Sequence, residues 1–320
     1  MNVFFFILTN NIVPIFVLII IGYLMNRKFN LDIFTLTKLN FYIFVPAFTF
    51  VNLYITKIHL EMVKVMIITT LILIINTILS SIVAKKRKYN KGMKNAFANS
   101  IMFYNSGNIG IPLMTLVFSS APFIINGQKP YLSVALTAQI MVLVIQDITT
   151  NTLGFVNAGQ ANTHWRESFI KVLKMPSIYI IPLAFILKLI PYDMTNIPIW
   201  PAFEYASKGL VPVALITLGV QLSKTSIKLK NIEVYIASAI RLLVGPIIGF
   251  ILVKVFAVEG IIAQVIMIST ALPTAVNSAL IAVECDNYPD FASQVVMTST
   301  LFGAITLVFV IYIARILFPV

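Results

Sequence analysis

The residues best equipped for chemistry sit where polar side chains interrupt two long apolar runs. The first stretch reads Asn105-Ser106-Gly107-Asn108-Ile109-Gly110-Ile111-Pro112. The second reads Ser269-Thr270-Ala271-Leu272-Pro273-Thr274-Ala275-Val276-Asn277-Ser278. Each joins a proline to carboxamide and hydroxyl groups. Proline cannot donate to the carbonyl four residues back, and it suits the first turn of a new helix. The first stretch therefore predicts a helix that ends near Tyr104, an unwound segment, and a second half-helix from about Ile111. The second predicts a like break at Pro273. Broken backbone at membrane depth leaves N–H and C=O groups that only protein or a water-filled cavity can satisfy.

Asn105, Asn108, Thr274, Asn277 and Ser278 could hydrogen-bond a carboxylate. Each could equally pair freed backbone, and Gly and Pro also serve ordinary packing in membrane helices. Two interruptions at matched positions point to a binding site near the midplane. Free amides at half-helix N-termini attract anions. Crossing half-helices would also bring C-termini together, so the dipoles leave the sign of the solute open. Neither 95–128 nor 260–283 contains an acid, which disfavours a carboxylate-built cation site and favours an anionic or neutral solute.

Charges inside the apolar runs are the next candidates. Arg241 could face a solute carboxylate, pair with Asp147, or serve structure alone. Asp147 is the best proton-carrier candidate, although its place in the fifth run sets it toward the inner face. Glu204 and Lys208 are spaced for a local i,i+4 ion pair. One cysteine and two histidines do not make a typical structural zinc site, and neither a metal nor a cofactor is expected. No nucleophile–His–acid set stands in the apolar runs, so the chain does not read as an enzyme.

These residues must be positioned by helices in lipid. Hydrophobic residues are 59% of the 320 and charged ones 11%, with a mean hydropathy of +0.95. A soluble domain carries roughly a quarter charged residues. A spanning helix needs about 20 apolar residues, and ten such spans are predicted at 5–25, 36–55, 63–84, 95–118, 131–153, 175–190, 197–222, 232–253, 261–283 and 291–316. The first lacks a basic leader and a small-residue cleavage site before Arg27-Lys28, so it reads as a retained span.

The net charge of +12 is a matter of loops rather than nucleic acid. With the N-terminus outside, the inner loops hold Arg27, Lys28, Lys85, Lys86, Arg87, Lys88, Lys91, Lys94, Arg166, Lys171, Lys174, Lys224, Lys228 and Lys230. The outer ones hold Lys57, Lys64, Lys129, Lys188, Lys254 and Arg315. Basic loops stay inside, which predicts both termini outside the cytoplasmic membrane. The Lys85–Lys94 cluster reads as a topology signal beside anionic lipid.

Five spans per half give two halves of opposite orientation. Val45-Pro46 recurs as Val211-Pro212, and Gly107 falls over Pro273, both 166 residues on. The fold class is thus an all-α polytopic membrane protein of two inverted five-helix repeats, 1–153 and 175–320. A short cytoplasmic linker, 154–174, joins them, and the broken helices four and nine cross. Inverted repeats of this kind are common in secondary transporters. A channel or facilitator for small anions or neutral solutes is the alternative.

With these features in place, the chain resembles the bacterial branch of the auxin efflux carrier family over nearly its full length. The resemblance rests on Asn105-Ser-Gly-Asn-Ile-Gly-Ile-Pro-Leu113, Pro212-Val-Ala-Leu-Ile-Thr-Leu-Gly-Val-Gln-Leu222 and Ala271-Leu-Pro-Thr-Ala-Val-Asn-Ser-Ala279. It implies a fold like that of the bile acid:sodium symporters. Spans one, two, six and seven would form a scaffold, and spans three to five and eight to ten a mobile domain that moves like an elevator. It also implies a small organic anion as substrate: auxin in plant relatives, malate, malonate or similar acids in bacterial ones. Crossover Asn and Pro residues of the family match Asn105, Asn108, Pro112, Pro273 and Asn277. Ser106, Gly107, Thr274 and Ser278 complete the predicted site, and a homodimer through the scaffold helices is a further expectation. Two features depart from the pattern. The long cytoplasmic loop of many plant members is missing. The acidic sodium ligand of the bile acid relatives has no match, since Glu284 lies at the inner end of span nine.

Overall fold

The structure, a computed structural model, describes residues 3–56, 61–159, 176–225 and 231–320. The predicted linker lies outside the described residues from 160 onward, as do Lys57, Arg166, Lys171, Lys174, Lys228 and Lys230.

Among the described residues every regular element longer than an isolated bridge is a helix. In chain order the helices are α1 (Val3–Phe29), α2 (Ile33–Ile55), α3 (Glu61–Lys86), α4 (Lys91–Met102), α5 (Ser106–Phe118), α6 (Leu132–Ala158), α7 (Pro176–Lys188), α8 (Trp200–Ser223), α9 (Ile232–Val255), α10 (Gly260–Thr270), α11 (Val276–Glu284) and α12 (Pro289–Leu317). Seven of them, α1, α2, α3, α6, α8, α9 and α12, are long and apolar enough to cross a membrane. Shorter helices occupy the ranges predicted for spans four, six and nine: the α4–α5 pair, α7, and the α10–α11 pair.

The bundle is apolar on its outside and carries many polar groups within. Leu24 and Ile305 are 59% and 60% exposed, while Asn11, Ser80, Gln139 and Ser299 are fully buried. Exposed apolar side chains on the outside of a bundle with a polar interior suit contact with lipid. The chain is a multi-pass membrane protein, as its composition predicts.

Five stretches wind with wide π turns: Leu8–Ile12, Asn40–Phe44, Ser106–Gly110, Thr150–Gly154 and Ile240–Val244. Four of them end two residues before a proline: Pro14, Pro46, Pro112 and Pro246. The cause is steric. A proline ring collides with the carbonyl four back and offers it no N–H, and a five-residue turn shifts that carbonyl aside. Such bulges concentrate at functional sites, and three of these five border the cavity described below.

Packing sorts the helices. α8 lies along α1 and also touches α2, which packs on α7. The remaining helices pack mainly among themselves, with α6 against α3, α5 and α10, and α12 against α9, α10 and α11. Glycine sets the closeness of the α1–α8 contact. A Cβ on Gly219 would fall 2.8 Å from Tyr23 N, and one on Gly22 would fall 2.8 Å from Ile216 C. Backbone cannot rotate away, so neither site accepts a side chain. Polar ties fix the register: Asn26 Nδ2 donates to Ser223 Oγ at 2.6 Å, and Asn40 Nδ2 to Thr217 Oγ1 at 3.1 Å.

At the end bearing the basic cluster, Arg87 and Tyr89 both donate to Glu233 at the start of α9. The hydrogen bond to Glu233 holds the Arg87 guanidinium above its ordinary pKa. Partial burial, and then the same carboxylate, pushes the Tyr89 phenol up to about 12. This contact ties the α3–α4 turn to α9. On α8, Lys208 Nζ and Glu204 Oε2 lie 4.0 Å apart, both exposed, which is the local pair the spacing predicts.

Candidate functional site

The two helix breaks lie side by side. α4 ends at Met102, only Phe103–Asn105 run extended, and the chain turns at once into the π segment Ser106–Gly110. The unwound stretch is thus shorter than the sequence suggests, because the wide turns accommodate Pro112 without unwinding. α10 ends at Thr270 and α11 starts at Val276. Asn105 N donates to Pro273 O at 2.8 Å and Ala275 N to Phe103 O at 2.9 Å, forming an antiparallel bridge centred on Tyr104 and Thr274.

Side chains satisfy most of what remains. Tyr104 N donates to Gln146 Oε1 at 3.1 Å, and Gln139 Nε2 donates to Ser106 O at 2.9 Å. Gln139 Oε1 also accepts from Ser269 Oγ at 2.6 Å, so this one carboxamide joins both broken helices. Gln139 and Gln146 stand seven residues apart on α6, hence on one face. In the second break, Thr274 N donates to Ser299 Oγ at 3.1 Å and Thr274 Oγ1 to Ser100 O at 2.8 Å. Ser278 Oγ reaches Asn99 O at 3.4 Å. Freed backbone groups in an apolar bundle require such partners, and buried polar networks hold one geometry when fully paired.

A cavity of about 40 Å³ opens beside the bridge, room for about three waters. Asn105, Ser106, Gly107 and Asn108 line one wall, and Val276 and Asn277 another. α6 contributes Gln146, Asp147 and Thr150, and α2 contributes Asn40 and Phe41. Asn105 Oδ1 accepts from Asn108 N at 3.1 Å. Asn105 Nδ2 and Gln146 Nε2 are buried without a partner. The Tyr104 hydroxyl is a third such donor among the lining residues and Asn40 Oδ1 an unpartnered acceptor, whereas buried polar groups are paired as a rule.

A wider space of about 510 Å³ adjoins it. Lys38, Tyr42, Asn151 and Glu284 border that space, while Phe41 and Asn277 border both. These two side chains lie where vestibule and cavity adjoin. The vestibule lies at the end bearing Lys38 and Glu284.

The predicted site residues therefore divide. Asn105, Ser106, Gly107, Asn108 and Asn277 line the cavity. Pro112, Pro273, Thr274 and Ser278 shape the breaks without lining it. Asp147 lines the cavity as well. Arg241 is fully buried and forms no ion pair with Asp147. It donates to Ile101 O at 2.9 Å and to Thr270 O, and its guanidinium carbon lies 4.8 Å from the centroid of the Tyr104 ring. Asn40, Phe41, Gln146 and Thr150 are additions to the sequence reading. One signal for the first was available: Asn40 precedes Pro46 by six residues, as Ser106 precedes Pro112.

The comparisons with known proteins support a membrane transport protein. Residues 163–311 match the family described as Membrane transport protein. The resemblance to the auxin efflux carrier family is thereby borne out. An "Uncharacterized transporter" of Methanothermobacter thermautotrophicus is 23% identical over 310 residues, covering 93% of this chain and 96% of that protein. A second, "Uncharacterized transporter MJ1031" of Methanocaldococcus jannaschii, is 26% identical over 118 residues, 36% of this chain and 38% of that one.

Proposed function

We propose that this protein is a secondary transporter that carries a small organic anion, probed best as a carboxylate, together with a proton across the cytoplasmic membrane. The observation that carries the reading is the cavity itself. Carboxamides of Asn105, Asn108, Gln146 and Asn277 converge on it, and two of these are buried donors without a partner. A carboxylate oxygen is the acceptor such donors lack. Asp147 borders the same space. Two carboxylates at close quarters repel unless one is protonated, so anion and proton bind together and Asp147 holds the proton.

The packing supports an elevator movement. Ten spans, counting each broken pair as one, form two inverted halves whose broken helices cross. α1, α2, α7 and α8 act as the scaffold, and α3–α6 with α9–α12 as the mobile domain. The cavity lies between these groups, walled by α2 on one side and by α5, α6 and α11 on the other. An elevator stroke of the second group past α2 carries the anion from one face to the other. With both termini outside, the vestibule at Lys38 and Glu284 would face the cytoplasm. At about 40 Å³ the cavity is closed down, and a bound anion holds Phe41 and Asn277 apart.

A thermal-unfolding series tests the reading. Acetate, malonate, malate and indole-3-acetate, each compared with its amide at equal concentration, are added to purified protein at mildly acid pH. At least one acid raises the melting temperature and its neutral amide does not, because a ligand that binds only the folded state stabilises it by mass action. Equal shifts from acid and amide contradict an anion site.

A further inference from the structure

The dipoles of two crossing broken helices leave the sign of a midplane site open, since two N-termini and two C-termini meet. Arg241 removes that ambiguity. Its guanidinium donates to Ile101 O, in the last turn of α4, and to Thr270 O, the final residue of α10. Carbonyls in the last turn have no helical partner and carry the negative end of the dipole. One cation therefore caps both C-terminal ends. It is fully buried, and it stacks on Tyr104, whose other contacts include the cavity wall. The opposite ends, the starts of α5 and α11, open on the cavity. The buried, unpartnered amides of Asn105 and Gln146 point to a ligand at the same place.

We propose that Arg241 is a positioning residue that sets the charge sign of the cavity: it neutralises the two C-terminal half-helix ends from behind Tyr104, leaving two N-terminal ends to present positive potential to an anion. This deepens the anion reading and rests on it. Arg241 does not touch the substrate. It acts through the backbone of the two half-helices and through its own charge, one aromatic ring away. α9 is built around this contact: a Cβ on Gly245 would meet Thr270 O and the guanidinium, and one on Gly249 would meet the Thr270 side chain.

The test reads potential and needs no knowledge of the substrate. In a Cys285→Ser background, Asn277→Cys places a thiol where vestibule and cavity adjoin. Purified protein is treated with an anionic and a cationic methanethiosulfonate reagent of similar size, and the ratio of the two rates is taken relative to free cysteine. Arg241→Gln keeps amide donors and removes the charge; it lowers the anion-to-cation ratio about tenfold, the scale of one charge acting at roughly 10 Å through partly solvated protein. Arg241→Lys keeps the charge and holds the ratio within about twofold on the same argument. A folded Arg241→Gln protein with an unchanged ratio overturns the proposal, as a purely structural role predicts. Should Arg241→Gln fail to fold, the Asp147→Asn variant with Arg241 intact decides. Its ratio must exceed that of free cysteine, and a preference for the cationic reagent refutes the assignment. A positive cavity in a protein that transports no carboxylate would count against the transport reading alone.

Discussion

Replacing either Asn108 or Asn277 by alanine is expected to slow carboxylate uptake by roughly 10- to 100-fold, the effect of losing one hydrogen bond to a charged group, about 1.5–3 kcal/mol. Both side chains line the cavity and both are only half-buried. Neither side chain appears among the partners that hold the breaks together, a task left to Gln139, Gln146, Thr274 and Ser299. Their removal therefore spares the fold. Initial rates of labelled malonate uptake into proteoliposomes, normalised to reconstituted protein and paired with melting curves, check this. Wild-type rates from both variants would defeat the site assignment. A matched fall in melting temperature would instead mark these residues as structural.

The second large effect concerns coupling. Wild-type uptake is expected to rise when the side supplying the anion is made acid, because proton and anion travel in the same direction. Asp147→Asn is expected to abolish that response, leaving uptake flat across the same gradient. The amide keeps the size of the side chain and cannot release a proton, so the change isolates the titration. Asp147 borders the cavity from α6, directly after Gln146, whose carbonyl oxygen accepts from Tyr104 N. Exchange of labelled for unlabelled anion is expected to persist in this variant, since exchange needs binding and movement but no net proton transfer. A pH-gradient response that survives Asp147→Asn would refute the proton role.

The sequence made some of this legible and hid the rest for identifiable reasons. The clusters of helix-poor residues around Pro112 and Pro273 announced the breaks; proline alone does not, since Pro182 and Pro212 lie inside continuous helices. The side chains that pair the freed backbone were less visible. Gln139 and Gln146 are single polar residues in an apolar helix, and only the structure shows that they face the breaks. Asp147 sits nearer the middle of its helix than a span of 131–153 places it. The π segment Thr150–Gly154 lets α6 continue to Ala158, which moves Asp147 toward the helix centre. Arg241 left three readings open at the level of sequence. Its hydrogen bonds run to backbone carbonyls on α4 and α10, and carbonyl direction is a property that no residue type encodes. Asn40 and Phe41 belong to another helix group entirely, and their place at the cavity depends on how α2 packs across it.

A carrier with one alternating site for an anion must show counterflow. Proteoliposomes loaded with unlabelled malonate are diluted into trace labelled malonate with no ion gradient. A transient, saturable accumulation of label is expected, suppressed by unlabelled malonate outside and weakened by Asn277→Ala. Label that only equilibrates, at a rate linear in concentration and indifferent to the internal load, would mean an open pore and contradict a carrier.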